Sequence, residues 1–408
     1  MRTRLAILLA ALLLGLGLAQ QVTLSFAGNT ALKEPIEAMI AAFEKENPSI
    51  RIRASFAPID QLHVSLRTQL AAGNAPDIFS TIPGKGAPTS TVSLAEANYL
   101  LDLSAEPWAQ RIPSTYDYAI RLQGKTYGMA PSIATIGILY NKQVFQELNL
   151  RPPRTWNELL AFCDTVKKAN KIPFAMGYRD PWVNLVINFS LVATLVYSSN
   201  PRFDVDQAAG RASFVTSPWK DALQKHLEME ARGCFNPNPT GTSYQQMMEF
   251  VATGRAAATV TLSLTVPQAY QYNKEAQLEM VAFPATNNPN QTQIPASLLT
   301  VLSVYKNTRY PEQAKAFIRF ITEPRNLNRF VEMTGDLPLF VSADSRPNPV
   351  LSPMIPYINQ GRIVPFMDHR WPNAEVQQAL MTGMQQLLTK QATIEQVLRR
   401  MDEAYNRK

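Results

Sequence analysis

The sequence predicts an α/β protein built in two lobes, and three observations predict it. The chain has 408 residues, more than one ordinary core holds together, so two lobes are expected. Strand-like and helix-like stretches alternate from Val22 to Thr81, the pattern of a parallel sheet with crossover helices. The same alternation returns between Ile136 and Pro324. Composition agrees, since 46% apolar and 17% charged residues suit a globular chain with a buried core.

The chain opens with Arg2 and Arg4, the apolar run Leu5 to Leu18, and small Gly17 and Ala19. This is the pattern of a secretory signal peptide cleaved after Ala19. The run is shorter than the ~20 apolar residues needed to span a bilayer, and no Cys lies near the cleavage site to make a lipoprotein. The mature chain is expected to begin at Gln20 and to be periplasmic or extracellular. The later apolar stretch LVINFSLVATLVY is interrupted by Asn188, Ser190 and Thr194, so it is not a spanning candidate.

VTLSFAG (Val22 to Gly28) alternates like a strand, and Ala31 to Pro48 places Ile36, Met39, Ile40 and Phe43 on one helical face. IRIRASF (Ile50 to Phe56) is the second strand. DQLHVSLRTQLAAG (Asp60 to Gly73) reads as a helix with an Asp cap and a Gly stop. DIFST is the third strand, and it opens directly into a loop of hydroxyls and glycines. In open α/β sheets ligands bind beyond the carboxyl ends of strands. The loops there begin at Gly28-Asn29-Thr30 and at Ser80-Thr81.

Farther on, IGILYNKQVFQELNL reads as a strand running into a helix. Thr155 and Glu158 form a capping box ahead of the next helix. SYQQMMEFVATGRAAATVTLS is a helix, a Gly turn and a strand. IPASLLTVLSVY reads as one strand, followed by the Pro-started helix PEQAKAFIRFITEP. The last stretch is helical, with a second capping box at Thr393 and Gln396.

Without Arg2 and Arg4 the balance is 37 basic to 32 acidic residues, a mild and dispersed excess with no basic stripe, so nucleic acid is not a partner. Cys163 and Cys234 are the two cysteines. An exported protein permits a bridge between them, but two buried thiols fit the sequence equally. There is no G-x-S-x-G, P-loop or G-x-G-x-x-G. His63, His226 and His369 are far apart and lack zinc-ligand spacing. No metal or cofactor is indicated, and no residue argues for catalysis.

Several stretches in order resemble one family. They are LAAGNAPDIF, LLDLS (Leu100 to Ser104), GKTYGMAPS (Gly124 to Ser132), LYNKQVFQELNLRPPRTWNELL, FVATGRAAATV, YPEQAKAFIRFITEPRNLNRF and TGDLPLF. Together they are similar to family 1 of the extracellular solute-binding proteins of ABC importers, the group that contains the maltose- and other sugar-binding proteins. The Y-N-K, helix, P-P-x-T-W-x-E-L piece is the most specific. FVATGRAAATV departs from the family's pattern, with Val251 where Phe is usual and Ala258 where Met is usual.

The resemblance implies the type II periplasmic-binding-protein fold, two α/β lobes around a ligand cleft joined by a multi-crossing hinge. It implies a signal peptide over 1–19, one lobe from 20–132 and 296–338, and a second from 133–295 and 339–408. It implies capture of a solute, most simply a di- or oligosaccharide, by hinge closure, and delivery to a membrane permease by a monomer.

Sugars present hydroxyl edges and C–H faces, so their sites combine polar rims with flat aromatics. Trp182 and Trp371 sit in turn-rich loops beside Pro and are read as stacking residues. Trp156 and Trp219 are read as packing residues, and Trp108 is left open. Tyr244 is either a cleft residue or a helix-face core residue. The polar candidates are Asn29, Thr30, Ser80, Thr81, Ser132, Thr135, Ser263 and Ser297, with Gly84 on the cleft wall. A phosphate-bearing ligand would want Arg179 or Arg370. The alternatives are a polyol, glycerophosphodiester or peptide-like solute, or a secreted carbohydrate-active enzyme.

Overall fold

The computed structural model describes residues 21–340 and 348–407. The signal-peptide reading, with cleavage after Ala19 and a new N-terminus at Gln20, lies outside those residues. No helix among the described residues is long and apolar enough to cross a membrane.

The first lobe is a four-stranded sheet. Its strands are β1 (Val22–Asn29), β2 (Ile50–Ala57), β3 (Ile78–Thr81) and β9 (Val301–Val304), in the order β9-β3-β1-β2. β1 is parallel to both β2 and β3, as the alternation predicts, whereas β9 is antiparallel to β3. Helices α1 (Lys33–Glu46) and α2 (Ile59–Ala71) make the crossovers. α2 begins one residue before the expected Asp cap, with Pro58 at the capping position, and a short helix, α3 (Thr91–Glu96), follows the β3 loop. The late helices α8 (Pro311–Ile321) and α9 (Pro324–Thr334) return to this lobe. Phe317 and Phe320 of α8 pack edge-on against Phe43 of α1.

The second lobe is built around β4 (Ser132–Asn141), ten residues long and buried throughout. Its neighbours are β5 (Ile172–Phe174), β6 (Ala256–Leu262), β7 (Leu278–Val281), β8 (Ile294–Leu298), β10 (Leu337–Pro338) and β11 (Ile363–Val364). The main order is β11-β8-β4-β6-β5, with β7 and β10 also paired to β4. Helices α4 (Trp156–Lys168), α5 (Val183–Leu195), α6 (Trp219–Ala231), α7 (Tyr244–Ala252), α10 (Glu375–Leu388) and α11 (Ile394–Tyr405) surround it. Both expected capping boxes form, at Thr155/Glu158 and Thr393/Gln396. α5 is buried from Val183 to Thr194. A helix buried on all sides needs no polar stripe, which explains its continuous apolar run.

The chain changes sheets three times. Met129 bridges Leu302 of the first sheet, whereas Ile133 pairs with Leu298 of the second. IPASLLTVLSVY is two strands rather than one, broken at Leu299-Thr300 where the chain passes back to the first sheet. The third passage runs from α9 through Gly335 and Asp336 into β10.

Cys163 of α4 and Cys234 after α6 form a disulfide, which decides between the two readings of the pair. Both are fully buried, and they close a loop of sequence separation 71. A cross-link across a loop this long restricts the unfolded chain and is worth about 2–4 kcal/mol. Reduced protein, or the Cys163→Ala/Cys234→Ala variant, is expected to melt lower by that amount in calorimetry. An unchanged melting curve would mean that the bridge does not stabilise the lobe.

Candidate functional site

Strand registers bring the carboxyl ends of β3 and β6 to the interlobe passages. Thr81 pairs with Val301, the residue immediately past the Leu299-Thr300 break. Leu262 pairs with Ile136 near the start of β4, and the following Ser263 oxygen accepts a bond from the Thr135 amide at 3.0 Å. The loop after β3 reaches across to the second lobe. Gly84 has φ +79, and a Cβ there would collide with the backbone carbonyl of His369. Gly at this position therefore serves both the turn and the approach of the two lobes.

Most of the expected hydroxyl ligands are already engaged within the protein. The Thr81 hydroxyl lies 2.7 Å from that of Thr91 and 3.2 Å from that of Ser303, and it is buried. Ser132 and Ser263 both donate to the carboxylate of Asp336, at 3.0 and 2.7 Å. Thr135 donates to the Pro295 carbonyl at 2.9 Å. Ser297 bonds the Tyr118 hydroxyl at 2.8 Å and Nδ1 of His369 at 3.0 Å. These five side chains brace the passages between lobes instead of lining an open rim. A passage through a dry interior must satisfy its own polar groups, and Ser and Thr do this compactly. Ser80 is buried with its hydroxyl unpartnered. Asn29 accepts from the Ala31 amide at 3.0 Å, and Thr30 is exposed beyond it.

Trp371 corrects a sequence expectation. It is 1% exposed, with ring centroids 6.1 Å from Phe189, 5.9 Å from Phe214 and 6.2 Å from Trp219. It is a core residue, and its position beside Pro372 did not keep it at the surface. Trp156, Trp219 and Trp108 are buried as well. Arg370 is also committed. It pairs with Asp204 at 2.7 Å and lies 4.9 Å over the Tyr118 ring, so it is not a free receptor for an anion.

Trp182 and Tyr244 do come together. Trp182 is half-exposed, and its ring centroid lies 5.2 Å from that of Tyr244. The Tyr244 hydroxyl donates to Oε1 of Gln268 at 2.6 Å, and its amide donates to Asp180 at 2.8 Å. The phenol is therefore anchored and its ring face fixed.

One residue escaped the sequence reading. Oδ2 of Asp368 accepts from Nε2 of Gln377 at 2.6 Å, while its buried Oδ1 has no protein partner. Burial pushes its carboxyl above the usual carboxylate range. The backbone carbonyl of Asp368 lies against Gly86 of the β3 loop, so the residue sits at the boundary between lobes. Asp368 and Trp182 are connected through α10. Gln377 holds Asp368, the Met381 carbonyl accepts from Asn184 at 3.2 Å, and Gln385 donates to the Tyr178 carbonyl at 3.4 Å. Positions 377, 381 and 385 share one helix face. Asn184, two residues after Trp182, and Tyr178, four before it, are thereby fixed to the same helix that holds Asp368.

His226 is structural. Its Nε2 lies 2.7 Å from the Tyr178 hydroxyl and its Nδ1 3.0 Å from Oδ1 of Asn188. Burial lowers its pKa to about 3, so the ring is neutral, with Nδ1 donating to Asn188. No group of three or more His, Cys, Asp or Glu side chains among the described residues is arranged to hold a metal ion.

Residues 27–327 match the family model described as bacterial extracellular solute-binding protein. The multiple sugar-binding protein of Streptococcus mutans is 23% identical over 303 residues, covering 74% of this chain and 70% of that one. The melibiose/raffinose/stachyose-binding protein MelE of Bacillus subtilis is 22% identical over 307 residues, with the same coverage. Among solved structures, RafE in complex with raffinose superposes with a TM-score of 0.78 at 21% identity, over 94% of this chain and 99% of that one. A sugar transporter protein from Bacillus licheniformis in complex with stachyose gives 0.75 at 24% identity, with the same coverage.

Proposed function

The chain belongs to the bacterial extracellular solute-binding proteins, and on that premise we propose that it captures an oligosaccharide between its lobes and delivers it to the permease of an ABC importer. The observation that carries the sugar reading is the half-exposed Trp182, whose ring lies against that of the anchored Tyr244 with centroids 5.2 Å apart. A flat aromatic wall takes the C–H face of a pyranose, and a carboxylate oxygen accepts from its hydroxyls. Relatives named for multiple sugars, melibiose, raffinose and stachyose support the same substrate class. Asn29 and Thr30, at the carboxyl end of β1, supply the first lobe's polar rim in this reading.

The proposed lobes follow the expected bounds of 20–132 with 296–338 and 133–295 with 339–408 except at the passages, where Ser132, Ala296–Leu298 and Leu337–Pro338 pair in the second lobe's sheet. Residues 1–19 are a cleaved signal peptide, and the mature protein acts as a monomer. The protein has no catalytic role in this proposal. The pairing of Arg370 with Asp204 favours a neutral sugar over a phosphate-bearing solute.

Calorimetric titration against melibiose, raffinose, stachyose, maltotriose and a chitin oligosaccharide, with chromatography of the sugars afterwards, tests this. Saturable binding of at least one sugar without any cleavage is expected. Turnover would favour the enzyme, and binding of glycerophosphodiesters or polyols but no sugar would overturn the substrate class.

A further inference from the structure

Three segments carrying aromatic and polar side chains meet beyond the carboxyl ends of β5 and β6. The two strands are parallel neighbours, with Ile172 paired to Ala256 and Phe174 to Ala258, and ligands of open α/β sheets bind beyond such ends. Asp180 and Trp182 follow β5. Gln268 follows β6, in the short helix Val266–Tyr272. Tyr244 begins α7, which leads through the turn at Gly254 into β6, so its first residue lies back toward that strand's carboxyl end. The loop after β5 is sewn to the turn before α7. The Tyr178 amide donates to the Pro239 carbonyl at 2.8 Å, and the Arg179 amide to that of Thr242 at 3.1 Å. A Cβ on Gly177 would lie 2.6 Å from the Ser243 carbonyl oxygen, so glycine is what permits this approach. The helix carrying Gln268 starts against the third passage between lobes, where a Cβ on Gly335 would lie 2.6 Å from Pro267 Cδ.

Two polar side chains hold Tyr244 at its two ends, and each keeps one atom free. At the backbone end, Oδ2 of Asp180 accepts from the Tyr244 amide at 2.8 Å, while Oδ1 has no hydrogen bond or ion pair among the described residues. At the phenol end, Oε1 of Gln268 accepts from the Tyr244 hydroxyl at 2.6 Å. That bond sets the orientation of the amide. Its Nε2 is the free end, without a protein partner among the described residues. Both side chains are half-exposed. An acceptor and a donor therefore stand one tyrosine length apart, beside the ring whose centroid lies 5.2 Å from that of half-exposed Trp182.

We propose that Asp180 and Gln268 grip the two edges of one sugar ring seated on Trp182. Oδ1 of Asp180 accepts from a hydroxyl at one edge, and Nε2 of Gln268 donates to an oxygen at the other. The basis of this subsite is the sugar reading above, which it narrows to two named contacts. A pyranose carries oxygens on opposite edges, so one ring bridges an acceptor and a donor set this way. Neither group needs to be ordered by the ligand, because the other atom of each is already held by Tyr244. A site with a dedicated donor and acceptor rejects a sugar lacking the matching hydroxyl, since the protein group is then left unpaired.

Calorimetric titration with a sugar that the parent binds, and with the monodeoxy analogues of that sugar, tests both contacts. Gln268→Met removes the amide at nearly constant size and is expected to weaken binding about tenfold. The same substitution in a Tyr244→Phe background separates contact from anchoring, because no phenol is left there to hold. It should still cost about tenfold. Asp180→Asn keeps an oxygen for the Tyr244 amide and turns a donor toward the ring, so a loss of roughly ten- to a hundredfold is expected. The one analogue that lacks the hydroxyl facing Oδ1 should bind the Asn variant and the parent alike. Gln268→Met without effect in the Phe background makes Gln268 an anchor of Tyr244 and overturns the proposal. Parental affinity in Asp180→Asn, or a loss equal across all the analogues, overturns it too. A parent that binds no sugar overturns the sugar reading along with the subsite, whereas a parent that binds sugar with both variants unaffected overturns the subsite alone.

Discussion

Replacing Trp371 by Ala is expected to cost about 3–5 kcal/mol of stability, the scale of deleting a large buried aromatic, while the folded fraction keeps nearly the parent's sugar affinity. The residue is 1% exposed and joins Phe189, Phe214 and Trp219 in one aromatic cluster. Phe214 continues the cluster to Tyr405 of α11, so the hole would open between α5, α6 and the C-terminal helices. Aromatic neighbours held edge-on to one another cannot collapse into it without losing their own contacts, which places the cost toward the upper end. Melting curves and calorimetric titration on the same preparation decide it. If the variant melts with the parent but binds sugar weakly, Trp371 faces the cleft and the core assignment is wrong.

The sequence made Trp371 look like a loop residue because its local signals are those of a loop: Pro372 follows it and the polar pair His369-Arg370 precedes it. Burial there comes from helices far away in the chain, and no periodicity within the loop reports them. Local chemistry was legible where it acts locally. The capping boxes at Thr155 and Thr393 and the alternation of β1 and β2 depend on neighbours within a few residues, and they form as expected. IPASLLTVLSVY failed as a single strand because a run apolar on both faces carries no register. A break between two sheets leaves no mark in it beyond the half-exposed Leu299 and Thr300. Ser132, Thr135, Ser263 and Ser297 bond protein partners within the passages, and Ser297 precedes the second crossing instead of following it. A hydroxyl that braces a buried passage and one that greets a ligand are the same residue type in sequence. Asp368 stands three residues before Trp371. What singles it out is a carboxylate oxygen without a partner, and only the positions of Gln377 and the β3 loop reveal that.

The double variant Trp182→Ala/Asp368→Asn is expected to lose sugar binding by roughly a thousandfold while melting close to the parent. Removing the Trp182 face gives up contact area worth about 1–3 kcal/mol. Asp368→Asn keeps the size of the side chain. Its amide oxygen can still accept from Gln377, which turns the NH2 group toward the position of the unpartnered oxygen. An acceptor for sugar hydroxyls becomes a donor there, and a lost bond to a charged group is worth about 1.5–3 kcal/mol. The two side chains share no hydrogen-bond partner, so their effects should add to on the order of 3–5 kcal/mol, a factor of roughly a thousand in Kd. Stability should change little, because Trp182 is already half-exposed and the Asn substitution removes a buried charge. Titration of the parent, both single variants and the double with the same sugar completes the cycle. Each single variant should bind about ten- to a hundredfold more weakly. Should either bind as tightly as the parent, that residue lies outside the contact surface. A double variant no weaker than its worse single would mean the two act through one shared rearrangement and not through separate contacts.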